Sequence, residues 1–266
     1  MSTPGPRIAL IHATALAITP VVTAFKALWP AATLMNLLED SLSVDRAAAG
    51  ALTDAMVLRF IDLARYAKAS GAQGILFTCS AFGPAIEAAG AAVGIPTLKP
   101  NEAMFSEALA RASLVAGRSF PAGGSLAARG DLAAHDTARP ARIGLIATFR
   151  ASIDSMATEL EAMAAAQGVD IQIVPAFVPG AMDALARGDA TTHHQAVAAG
   201  VQTLAHCDVI TLAQFSMAAA QGLAQASLAR ASSGASGTTS SFIPPVLASP
   251  ACAVTALKEA LDRVTA

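Results

Sequence analysis

The sequence predicts an α/β protein built as two pseudo-equivalent βαβ halves, flavodoxin-like, each with a parallel sheet. Three observations carry this reading. Arg7–Ala13 (RIALIHA) returns as Arg142–Thr148 (RIGLIAT), 135 positions later. Ile75–Ser80 (ILFTCS) returns at the same separation as Ile210–Phe215 (ITLAQF). Alanine-rich helical stretches such as Ala47–Ser70 and Thr191–His206 lie between the paired runs. Short β-rich apolar runs alternating with helices imply buried parallel strands, and two long copies make a duplicated domain, not a solenoid.

A third pair, Ile95–Leu98 (IPTL) and Ile243–Val246 (IPPV), is offset by 148, and the surplus falls on the Ser/Gly-rich segment Ser232–Ser241, read as a surface insertion. The expected organisation is an N-terminal half over 1–116, a connection rich in Gly, Pro and Ala over 117–141, a C-terminal half over 142–249 and a closing helix over 250–266. A chain of 266 residues buries roughly 70–75% of its unfolded surface, enough for a core without disulfides or metal.

Composition narrows the function classes. The chain is 54% hydrophobic, yet its longest apolar runs, 21–38 and 201–220, are broken by Lys26, Pro30 and Asn36 and by His206, Asp208 and Gln214. Neither offers the ~20 uninterrupted apolar residues of a spanning helix, so no membrane partner is expected. Met1–Arg7 lacks the charged and apolar regions of a secretion leader. Three widely spaced cysteines fit a reducing compartment and give neither a disulfide framework nor a zinc spacing, so a cytoplasmic location is expected. A net charge of −2 provides no basic stripe for nucleic acid. A homo-oligomer is left open.

In open parallel sheets, ligands bind beyond the carboxyl ends of the strands. His12, Thr14, Thr78, Cys79, Ser80, Thr148, Gln214, Phe215 and Ser216 all fall at such ends, and facing halves would gather them in one cleft between the halves. Cys79 ends an apolar strand, and Pro84 stands where a helix would begin. A thiol there is expected to feel the helix N-terminus and to have a lowered pKa; the alternative is an inert buried cysteine.

Thr78-Cys79-Ser80 at a strand end, followed by Gly83-Pro84 and a helix within doubled βαβ halves, resembles the aspartate/glutamate racemase superfamily. That group includes hydantoin and allantoin racemases, maleate isomerase and arylmalonate decarboxylase. The resemblance runs from Ile8 to about Ala256. It implies two cysteines, one from each half, flanking the substrate's α-carbon without metal or pyridoxal phosphate, so no cofactor is expected.

Cys79 matches the first cysteine motif, and Gln214 stands where the second cysteine belongs. The internal repeat pairs the same two positions. An amide neither gives up nor accepts a proton usefully near neutral pH. A positioned acid or base contributes ~10²–10⁴-fold, so its loss costs a two-base racemase about 3–5 kcal/mol of barrier lowering. The chain is therefore identified as a single-cysteine member of the superfamily. The resemblance implies an isomerase of the racemase type, working by proton transfer next to a carboxylate of a small acid or amino-acid derivative.

Two alternative reactions are a one-thiol decarboxylation of malonate-type acids and a maleate-type isomerisation. Arylmalonate decarboxylase also works with one thiol, but it keeps the opposite cysteine. A third alternative, of another class, is a non-catalytic protein binding small carboxylates. Catalysis falls to Cys79, and the expected substrate contacts are His12, Thr14, Thr78, Ser80, Thr148, Gln214, Phe215 and Ser216.

Other candidates carry less. Cys207 opens its strand, at the end away from the ligand side, and reads as packing. Cys252, in the first turn of the closing helix, reads as packing or as a displaced second acid/base. Adjacent His193 and His194 point to different helix faces, have no Cys/Asp/Glu company and read as a solvated surface, not a metal pair. No glycine-rich nucleotide loop follows the first strand, where Ala13–Ala17 stands instead. Phe82, Phe149 and Phe215 suggest an apolar wall near the site.

Overall fold

The structure, a computed structural model, describes residues 5–115, 139–234 and 242–265. The chain runs β1 (Arg7–His12), α1 (Ile18–Leu28), β2 (Thr33–Leu38), α2 (Ser41–Ala49), α3 (Asp54–Ala69), β3 (Gly74–Phe77), α4 (Gly83–Val93), β4 (Thr97–Leu98) and α5 (Glu102–Val115). It continues as β5 (Ala141–Ala147), α6 (Ala151–Ala166), β6 (Ile171–Phe177), α7 (Ala181–Ala186), α8 (Ala190–Gly200), β7 (Val209–Leu212), α9 (Gln221–Gly234), β8 (Val246–Ala248) and α10 (Ser249–Thr265). Two four-stranded sheets result, ordered β2-β1-β3-β4 and β6-β5-β7-β8, and every strand pair is parallel. The predicted α/β class and duplicated halves are both present.

Packing divides the chain into a first compact unit, Met1–Ala103 with Ser249–Ala266, and a second, Met104–Ala248. The boundary thus falls inside α5, and the closing helix joins the first unit. The connection read over 117–141 and the insertion read over 232–241 lie mostly outside the described residues. At their described ends, β5 begins at Ala141 and α9 continues to Gly234.

The repeat is written into the hydrogen bonds at the base of each sheet. Gln73 N donates to Arg7 O (2.8 Å) and Gln73 Oε1 accepts from Arg7 N (3.2 Å). Asp208 N donates to Arg142 O (2.8 Å) and Asp208 Oδ2 accepts from Arg142 N (2.7 Å). Gln73 and Asp208 are repeat equivalents, so a side chain before the third strand holds the opening N–H of the first in both units. Ile75 N donates to Pro96 O, and Ile210 N to Pro245 O. This matches Pro96 with Pro245, one position beyond the offset of 148 read from the IPTL and IPPV runs.

In the first unit, α3 starts at the cap Thr53, whose side chain accepts from Met56 N at 3.3 Å. It buries Met56, Phe60, Ala64 and Ala67 along one face against the sheet. The Phe60 ring lies 5.2 Å from Phe77 and 4.8 Å from Phe82. On the other face, α10 closes over β3, where Gly74 is required: a Cβ there would stand 2.7 Å from Leu261 Cδ1 and 3.2 Å from Leu257 Cδ1. Ser249 Oγ fixes the start of α10 by donating to Asn101 Oδ1 at 2.6 Å. The second unit packs Val197, Val201, Leu204 and Leu228 with Ile210, Leu212 and Val246. No described helix is long and apolar enough to cross a membrane.

Asp208 is the most heavily bonded of the base residues. It is 4% exposed and takes both guanidinium nitrogens of Arg139 (2.8 and 2.7 Å) as well as Arg142 N. Asp208→Ala orphans a backbone N–H and removes charge-assisted bonds, so it should destabilise the second unit by about 2 kcal/mol. Gln73→Ala, which loses one neutral bond, should cost about 1 kcal/mol. Urea unfolding checks this, and equal effects of the two variants would contradict it.

Candidate active site

Cys79 follows β3 with extended backbone (φ −123°, ψ 115°) and opens a short turn, Ser80–Phe82, that leads directly into α4 with Pro84 in its first turn. The turn is pinned from below, because Phe82 is 1% exposed and packs on Phe60. The thiol is half-buried. Burial pushes its pKa up, opposed by a hydrogen bond from the Ala81 backbone. This corrects the expected depression: desolvation of the thiolate outweighs what the turn's N–H groups supply. Burial thus favours the protonated thiol over the thiolate.

Beneath it, His12 has no exposed surface. Its Nδ1 lies 2.9 Å from Thr78 Oγ1 and its Nε2 3.1 Å from Asn36 Oδ1. With Asn36 presenting its oxygen, Nε2 carries the proton, and the Thr78 hydroxyl lies within reach of both His12 Nδ1 and Ile11 O (3.4 Å). Burial lowers the His12 pKa, partly offset by the Asn36 bond, so the ring is neutral. His12 and Thr78 thus hold each other, and His12 buttresses the strand end that carries Cys79. Asn36 was missed because β2 was not recognised as a strand.

The same level of the second unit carries a different network. Gln214 Oε1 accepts from Thr148 N (3.0 Å) and Thr148 Oγ1 (3.3 Å), while Gln214 Nε2 donates to Ser152 Oγ (3.2 Å). The repeat equivalents of His12 and Thr78 are Ala147 and Ala213, and those of Thr148 and Ser152 are Ala13 and Ala17. Each unit has lost the other's polar set. Ser152 escaped sequence reasoning because it lies in the first turn of α6, beyond the strand end.

The remaining candidates divide. Thr14 caps the turn Ala15–Ala17, accepting from Leu16 N at 3.4 Å. Ser80 and Ser216 are partly exposed. Phe82 and Phe215 are buried, so of the three rings expected to form an apolar wall only Phe149, 54% exposed, faces solvent. Cys207 is 2% exposed in the second unit's core, with its pKa pushed up to about 11 by burial and by Asp208. Cys252 is half-buried on α10. None of the three cysteines is in a disulfide.

His193 corrects the surface reading. It is fully buried on α8, neither ring nitrogen has a hydrogen-bond partner, and the His194 ring lies 5.3 Å away edge-on. Among the described residues, no group of three or more His, Cys, Asp or Glu is arranged to hold a metal.

This fold is that of the two-unit parallel α/β racemases. A glutamate racemase isoform from Bacillus anthracis superposes with a TM-score of 0.63 at 12% identity, covering 98% of this chain and 84% of that one. An allantoin racemase from Klebsiella pneumoniae gives 0.61 at 13% identity, over 98% and 89%. The Picrophilus torridus aspartate racemase gives 0.57 at 10% identity, over 97% and 95%. No protein-family model and no curated protein sequence matches the chain.

The state of the thiols can be read directly. Native Cys79 should be alkylated slowly at neutral pH, with a rate that climbs only above the ordinary thiol pKa, while Cys207 stays silent until about pH 11; peptide mapping reads both. A Cys79 profile that saturates below neutral pH would contradict the burial account.

His193 and His12 both have folded pKa values below the ordinary 6.5, so the unfolded chain binds more protons and stability falls as pH drops through about 6.5. His193→Leu should remove part of that slope. Unfolding midpoints at about pH 8 and about pH 5 test this, and an unchanged slope would contradict it.

Proposed function

We propose that this protein is a cofactor-independent enzyme of the racemase superfamily that moves a proton at a carbon next to a carboxylate, with Cys79 as its one acid/base. The observation that carries this is a thiol on the turn between β3 and α4, in the fold of known racemases, with a hydrogen-bonded amide at the repeat-equivalent position. Thr78 is committed to His12, so Ser80 and the backbone N–H groups of the Cys79 turn are the first unit's donors for the developing enediolate.

A thiol whose protonated form burial favours supports a second reading within the same class. A malonate-type acid that loses CO₂ becomes an enediolate. The Cys79 S–H then gives its proton to that carbon on one face, and the resulting thiolate recovers a proton from water. Racemisation needs the thiolate first and a second acid for the other face, which Gln214 does not supply.

The test is incubation of aryl- and alkyl-malonates, amino acids and hydantoins in D₂O, following deuterium uptake and chirality. Wild type should exchange or form a single hand, Cys79→Ala should abolish turnover, and Gln214→Cys should raise racemisation about 10²-fold or more by restoring the second acid/base. Equal exchange of both enantiomers by wild type, unaffected by Cys252→Ala, would show a second group at work. Binding without any exchange would leave a carboxylate-binding protein.

A further inference from the structure

The second unit contains a cation held by its surroundings that neither the repeat nor the strand-end motifs single out. Arg150 precedes α6, two residues after Thr148, and its guanidinium carbon lies 4.2 Å over the centre of the Phe177 ring. Phe177 is the last residue of β6 and pairs in register with Ala147, the last residue of β5. The charge is therefore fixed at the carboxyl edge of the sheet, where ligands of open parallel sheets bind.

An arginine on an aromatic face keeps its edge donors available, and that fork matches a carboxylate. Among the described residues, no carboxylate pairs with Arg150. The first unit has no counterpart, since the repeat equivalent of Arg150 is Ala15.

The two Thr148 donors beside it are already used. Thr148 N–H and Oγ–H, a two-donor cradle suited to a carboxylate oxygen, both point at Gln214 Oε1. Gln214's own amide is directed to Ser152. With the cradle filled from within, an anion at this edge needs another anchor.

We propose that Arg150, stacked on Phe177, is the carboxylate-binding residue of the second unit, standing in for the Thr148 cradle that Gln214 occupies. The proposal rests on the reading of the protein as acting on small acids and adds a carboxylate anchor within the second unit.

The test is calorimetric binding to the full chain, which needs no turnover. The probes are malonate and phenylacetate, each beside its neutral amide, malonamide and phenylacetamide. Wild type should bind each acid more tightly than its amide. Arg150→Met should weaken the acids about 10- to 100-fold and leave the amides unchanged. Arg150→Lys should recover part of the loss, Phe177→Leu should give an intermediate one, and Gln214→Ala on Arg150→Met should restore acid binding by freeing the cradle.

Acids and amides bound equally by wild type, no acid bound at all, or an acid preference that survives in Arg150→Met would each overturn the proposal. Folding of each variant is followed by thermal unfolding. Acid binding through Arg150 without deuterium exchange would remove the catalytic reading and leave this one standing. Exchange unaffected by Arg150→Met would do the reverse.

Discussion

Everything at the strand ends depends on the parallel pairing of the first strand with the third in each unit, β1 with β3 and β5 with β7. That register makes residues 66 positions apart into neighbours. The same separation recurs in Arg7 with Gln73, His12 with Thr78, Arg142 with Asp208 and Thr148 with Gln214. Parallel pairing has no short connection to fix it, so the register rests on buried strand faces and on the side-chain grip at the base. In the first unit, Ile8, Leu10, Ile75 and Leu76 are fully buried, so both faces of the sheet are covered and a slip of one residue would exchange the side chains packed on each face. It would also part His12 from Thr78.

A shared register with different side chains lets the two units specialise. The first keeps a buried neutral histidine under a thiol-bearing turn, and the second has alanines at those positions and an amide gripped by Thr148 and Ser152. The two strand ends are equivalent in register, and one carries a thiol where the other carries an amide. What stands at the second edge is a hydrogen-bonded amide and an arginine stacked on Phe177, neither a useful proton-transfer group near neutral pH. The thiol's state follows the same logic of packing. Phe82 anchors the turn on Phe60, Cys79 is drawn partly out of water, and desolvation outweighs the N–H groups nearby.

Much of this was legible in the sequence. The RIALIHA and RIGLIAT runs are β1 and β5, ILFTCS and ITLAQF lead through β3 and β7 to Cys79 and Gln214, and Pro84 marks α4. The edge strands β2 and β6 were not. Thr33–Leu38 (TLMNLL) closes the long apolar run 21–38 and shows no period-two alternation, so nothing in it marks a separate strand. With β2 unseen, Asn36 had no visible tie to His12, and with β6 unseen, Phe177 had none to Arg150.

His193 was misread for another reason. Helical spacing says which residues share a face, but not whether a polar one is covered by α7 or α9. The direction of the Cys79 shift was likewise beyond the sequence, since a helix start is legible and the degree of burial around it is not.

The most direct test of the central claim, that Cys79 is the reacting group, is a crystal structure with a slowly reacting small acid bound. The account predicts the carbon next to the ligand's carboxylate in contact with Cys79 Sγ, and that carboxylate accepting from Ser80 or from the N–H groups of the Cys79 turn. A ligand seated away from the turn between β3 and α4, with Cys79 untouched, would contradict it.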